Sequence, residues 1–90
     1  MHFEWDKRKA EANEAKHGIS FDEAATVFLD LNARTVYDER NSGSEDRYLT
    51  MGFSLRGRLV VVWHTDRENA IRIIGARFPD KRESSEYPNG

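Results

Sequence analysis

Residues 70–87, "AIRIIGARFPDKRESSEY", hold the densest set of side chains able to do chemistry. Arg72 and Arg77 interrupt an otherwise apolar, strand-like run, and Lys81, Glu83 and Tyr87 follow at once. A guanidinium is a planar fork that matches anionic oxygens, so such a strand either holds an anion or presents a solvated face. Arg72 and Arg77 are five residues apart, and an odd separation sets them on opposite faces of a regular strand. They can share a face only across a bulge, for which Gly75 is the candidate. Arg67, placed in the turn ahead of this strand, and Arg47, leading an earlier strand, are further cations for an anionic ligand; each could equally be a solvated charge. Lys16 and His17 close the first helix. An imidazole titrates near neutrality and suits proton transfer, yet a base in a last helical turn also complements the helix dipole.

Ninety residues make one small domain, 1–90, with a thin core. There is no cysteine, so no disulfide or thiolate metal site. His2, His17 and His64 lie far apart in sequence, and no metal and no cofactor is expected. No apolar run approaches the roughly 18 residues of a membrane span. The polar, acid-bearing N-terminus argues against a targeting leader, and a cytoplasmic setting is expected. The charges are 14 basic and 16 acidic residues, a net of −2. That sum gives no global electrostatic attraction for a polyanion, so any anion site must be a local gathering of arginines.

The elements that must position these groups follow from pattern. Asp6 caps a helix running to His17, and Gly18 follows as the residue free to take positive φ. Ser20 and Glu23 form a capping box for a second helix, whose Phe21, Ala24, Ala25 and Phe28 share one face. From Ala33 the period changes to two. "ARTVYDE", "RYLTMGF", "LVVVWHT" and "AIRIIGARF" read as four strands, the second with Leu49, Met51 and Phe53 on one side. His64 faces the same way as Val60 and Val62 and opposite Trp63, which suits a partly buried, hydrogen-bonded histidine. Trp5 and Trp63 are most simply core. Pro79 ends the fourth strand, Asp80 caps a short last helix, and "PNG" frays. The fold class is therefore α+β, ordered α-α-β-β-β-β-α. Two N-terminal helices pack on one face of a four-stranded antiparallel sheet and leave the other face partly open.

"FEWDKRKAEANEAKHGISFDEA" resembles the opening of the BrnT family of type II toxin–antitoxin toxins, through Phe3, Trp5, Asp6, Lys9, Asn13, Lys16, His17, Gly18, Ile19, Phe21, Glu23 and Ala24. "DRYLTMGF" and "IRIIGAR" are similar to two later segments of that family, in the same order and followed by a charged tail. The resemblance implies a RelE-like fold and growth arrest by RNA cleavage. It also implies a BrnA-type ribbon-helix-helix antitoxin, in a heterotetramer of two toxins and two antitoxins that contacts operator DNA only through the antitoxin. Gly75 stands where the family commonly has serine.

On that resemblance the groups acquire roles. Metal-independent RNA cleavage needs a base for the ribose 2′-OH, fixed cations for the scissile phosphate and an acid for the leaving 5′-oxygen. Arg77, His17, Lys81, Glu83 and Tyr87 are the catalytic candidates, with Arg67, Arg72, Arg47 and Lys16 on the RNA. The other function is a catalytically degenerate module that binds the antitoxin and contributes to operon autoregulation; Gly75 and the acidic first third lean that way. A compact patch of Arg67, Arg77 and Lys81 would favour the nuclease, and dispersed arginines paired with acids would favour the module.

Overall fold

Among the described residues, five strands and three α-helices follow in the order β1 (Phe3–Glu4), α1 (Lys7–His17), α2 (Phe21–Thr26), β2 (Arg34–Tyr37), β3 (Tyr48–Phe53), β4 (Leu59–Arg67), β5 (Ala70–Arg77) and α3 (Lys81–Glu86). This computed structural model describes residues 1–87, so the expected fraying of 88–90 lies outside the described residues. No described helix is long and apolar enough to cross a membrane.

The sheet order is β1-β5-β4-β3-β2, with β1 parallel to β5 and the other neighbours antiparallel. The sheet is thus five-stranded and mixed, not four-stranded and antiparallel. Two residues are too few to carry a periodicity. β1 exists because β5 offers it an edge, where the Ile71 amide donates to the His2 carbonyl at 2.8 Å, and because Phe3 packs on Phe28 with ring centroids 5.3 Å apart.

Local signals fix the helices. The Asp6 carboxylate accepts from the Arg8 and Lys9 amides, and Gly18 ends α1 at φ 72°. Ile19 then folds inward and is fully buried. Asn13 is buried and bonds in two directions: its amide donates to the Ile19 carbonyl and its oxygen accepts from the Ala76 amide, both at 3.0 Å. One polar side chain thereby satisfies the Ala76 amide of β5, beyond the reach of β1, and ties the strand to α1.

α2 departs from expectation at its acidic residue. Ser20 accepts from the Glu23 amide, but the Glu23 carboxylate does not return to the cap. It is buried, and takes hydrogen bonds from the Ser54 hydroxyl and from two nitrogens of Arg58. Those bonds, Arg58 foremost, hold its pKa below the ordinary carboxylate value against the opposing effect of burial. A buried carboxylate needs a cation more than it needs a neutral amide, so the long-range pair takes the side chain.

The core lies between the helices and one sheet face. It comprises Ile19, Phe21, Ala24 and Val27 against Val60, Val62, Ile73 and Ala76. His64 is buried on this side, with Nε2 2.8 Å from the Thr50 hydroxyl and Phe28 set edge-on against its ring. Trp5 joins this core, but Trp63 does not: alternation turns it to the far face. β4 also runs two residues further than expected, which puts Arg67 in the strand and not in the turn.

Candidate functional site: the uncovered sheet face

The face away from α1 and α2 is laid out by register. One row of Cα partners crosses it as Arg34, Met51, Val61 and Arg77, and the next as Val36, Leu49, Trp63 and Gly75. A cleft of about 220 Å³ opens here, with Val36, Leu49, Met51 and Val61 as its apolar floor and Arg34, Glu83 and Glu86 at its rim. α3 supplies the two acids. It follows Pro79 directly, and its start is fixed by a complete capping box between Asp80 and Glu83.

The bulge anticipated near Gly75 is present. Trp63 faces Gly75 while the next residue, His64, faces Ile73, so Ile74 is the extra residue of β5. This half-period slip turns Arg72 to the side of Arg77; in a regular strand the two would face apart. Trp63 seals the bulge. A Cβ built on Gly75 would fall 2.1 Å from Cζ2, 2.3 Å from Cε2 and 2.8 Å from Cη2 of its indole. The ring therefore lies directly over the glycine, in space that no side chain could share.

Sharing a face does not bring the expected groups together. Arg72 lies opposite Thr65 and Arg77 opposite Val61, about 13 Å apart at a strand's rise per residue. Arg72 donates to Glu4 at 3.1 Å. Arg67 is roughly 20 Å along β4 from Val61, and meets Glu45 at 3.4 Å with both side chains well exposed. Arg47 precedes β3 at that same end of the sheet, and its side chain has no described ion pair. Lys16 and His17 end α1, in the layer behind the sheet. The compact patch of Arg67, Arg77 and Lys81 does not form.

Arg77 and Glu83 do meet, and their geometry is specific. Nη1 and Nη2 of Arg77 donate to Oε1 and Oε2 of Glu83 at 2.8 and 3.0 Å, and Nη1 also donates to the Phe78 carbonyl at 3.3 Å. Oε1 further accepts from the Asp80 amide at 3.0 Å. The Arg77 bond is the chief reason the Glu83 carboxyl is held below its ordinary pKa, and Glu83 in turn keeps the guanidinium firmly charged. A guanidinium has five N–H donors. The end-on pair with Glu83 and the bond to Phe78 occupy three. The side-on fork, Nε and the second Nη2 hydrogen, has no described acceptor. The Arg77 side chain is one-third exposed.

Lys81 opens α3, exposed and with no described side-chain partner. Tyr87 ends it, but its hydroxyl donates to Asp30 and its ring packs edge-on against Phe53 at 5.1 Å. That bond pushes the phenol pKa up to about 12, so Tyr87 is a poor proton donor near neutrality. Sequence reasoning missed Arg34 and Glu86 as rim residues, because cross-strand register decides which strand residue stands beside α3. It also missed Arg58, which besides holding Glu23 lies 5.2 Å from the Phe78 ring centroid.

A family model described as "Ribonuclease toxin, BrnT, of type II toxin-antitoxin system" matches residues 5–83. Among solved structures, the crystal structure of the Brucella abortus ribonuclease toxin BrnT is similar, with a TM-score of 0.70 and 21% identity over 90% of this chain and 99% of that one. A search of curated proteins gives no match.

Proposed function

The chain belongs to the BrnT family of ribonuclease toxins of type II toxin–antitoxin systems, and on that premise we propose that it is a metal-independent endoribonuclease that arrests growth. The observation that carries this reading is the end-on Arg77–Glu83 pair on the uncovered face, with the side-on fork of Arg77 left over. That fork receives two oxygens of the scissile phosphate. Glu83 holds the guanidinium at a fixed angle, so little reorganisation is needed as charge builds in the transition state. Lys81 adds a second positive charge from the same helix. Glu83 itself is a weak base, since its oxygens are taken and its pKa is held low. Glu86, at the cleft rim, is the carboxylate assigned to the 2′-OH proton. The 2′-oxygen bonds to phosphorus as the P–O5′ bond breaks, and the leaving 5′-oxygen takes a proton from the Lys81 ammonium, so the products are a 2′,3′-cyclic phosphate and a 5′-hydroxyl. Neither His17 nor Tyr87 is required.

Family membership implies an antitoxin partner. We assign it to the BrnA ribbon-helix-helix type, in a complex of two toxins and two antitoxins that reaches operator DNA through the antitoxin. β2 is the outermost strand of the sheet, with all four residues exposed, and is the edge that a partner strand would extend.

One observation favours the second reading, a degenerate module that only binds its antitoxin. Arg67, Arg72 and Arg77 are dispersed, and each is bonded to a carboxylate. Induced expression of wild type and Arg77→Ala, with growth and RNA integrity followed, separates the two. Arrest with RNA breakdown in wild type only is expected. No arrest and intact RNA from wild type would leave the binding module, and unchanged arrest in Arg77→Ala would remove Arg77 from the site.

A further inference from the structure

Trp63 stands between the two arginines of the uncovered face. Val61, two residues before it, is opposite Arg77; Thr65, two residues after it, is opposite Arg72. Each interval is about 7 Å of strand. The half-buried indole lies on Gly75, so its plane is fixed along the sheet instead of standing up into solvent. The side chains of Arg72 and Arg77 are each partly exposed, at 30% and 34%. Cation, flat aromatic, cation is the alternation that single-stranded nucleic acid requires, with a base on the ring and phosphates to either side. A peptide segment would need no second cation there.

Resting on the nuclease reading above, we infer that Trp63 is the base-stacking platform of the RNA site. One nucleotide lies with its base on the indole and its flanking phosphates on Arg77 and Arg72. The ring is a binding and positioning group: it sets which linkage reaches Arg77 and takes no part in proton transfer. Gly75 is what admits this arrangement. Any side chain there would lift the ring from the sheet.

The test uses an RNA oligonucleotide made uncleavable by 2′-O-methyl groups, titrated into the protein while tryptophan emission is read. A Trp5→Phe background isolates Trp63. Quenching is expected in that background, and affinity, read for every variant from the anisotropy of a fluorescein label on the RNA, should be about 5- to 150-fold weaker in Trp63→Leu, the range typical of a lost base–aromatic stack. Trp63→Phe, which keeps an aromatic face, should fall between. An oligonucleotide of abasic sites should bind without quenching. Circular dichroism of each variant confirms that it is folded. Binding without quenching, or equal affinity in Trp63→Leu, overturns the stacking role; RNA cleavage by the same preparation would leave the nuclease reading intact. Quenching and weakened Trp63→Leu binding without any cleavage would support stacking and count against the nuclease instead. No binding at all to wild type overturns the inference.

Discussion

Adding one methyl group at Gly75 probes the packing on which the uncovered face depends. In Gly75→Ala the new Cβ would sit 2.1 Å from the Trp63 ring, about 1.4 Å short of an ordinary carbon–carbon contact. Either the strands part or the ring swings away. Overpacking of this kind costs about 1–3 kcal/mol, and an off-rotamer ring about 0.5–1.5 kcal/mol. Against this, losing a glycine narrows the unfolded ensemble and returns about 0.4–1 kcal/mol. The clash wins, and a net loss of about 1–2 kcal/mol is expected, read as a lower urea midpoint at unchanged slope. Each kcal/mol corresponds to a fall in Tm of about 4–8 °C for a domain of this size. The control is the same substitution in a Trp63→Leu background. There the clash is gone, so Gly75→Ala should be neutral or mildly stabilising, with a coupling of at least about 1 kcal/mol between the two sites. Equal effects of Gly75→Ala in both backgrounds, or a more stable single mutant, would refute the placement of the indole over the bulge.

Other perturbations give separate checks. Glu83→Gln keeps the shape of the Arg77 contact but not its charge; cleavage should fall while the pH–rate profile keeps its form, whereas loss of the acidic limb would make Glu83 the proton acceptor after all. Arg77→Lys should fail to restore cleavage, because one ammonium cannot hold Glu83 end-on and a phosphate side-on together; wild-type rates from the lysine variant would contradict this. Glu23, Glu83 and Asp30 all have depressed folded pKa values, so their stabilisation is present above the ordinary carboxylate range and lost as pH falls through the folded values. Urea midpoints should therefore drop below about pH 4, and less steeply in Glu23→Gln. Tyr87 has the opposite sign: its neutral form is the bound one, so its contribution is intact below about pH 10 and disappears as pH rises toward about 12. Tyr87→Phe should remove that alkaline loss, and a midpoint that falls just as steeply there would place its cause elsewhere.

Local chemistry was well written in the chain. Asp6, Gly18, Ser20 and Asp80 mark helix ends through bonds to backbone within a few residues, and all four sit where those rules put them. Whether Arg72 and Arg77 share a face stayed open in the chain, with a bulge at Gly75 as the condition; the register shift that meets it, with Ile74 as the extra residue, is seen only in the pairing of β4 with β5. What escaped depends on partners distant in sequence. β1 needs the β5 edge, and the Glu23 carboxylate is taken by Arg58, 35 residues on. The rim residues Arg34 and Glu86 are neighbours only through register and the docking of α3. The candidate side chains were legible by type but not by pairing. Arg77 and Glu83 were both singled out, yet nothing in their spacing tells a base from an orienting group; that distinction lies in which edge of the guanidinium is occupied.

The most direct measurement of the central claim is cleavage of a defined RNA by the purified chain in the presence of a chelator, with the new ends identified. Cuts ending in 2′,3′-cyclic phosphate are predicted for wild type, slowed roughly 100- to 1,000-fold by Arg77→Ala, the usual cost of removing one fixed donor from a developing negative charge. An RNA left whole by wild type, or cut equally fast without the Arg77 guanidinium, would contradict the account.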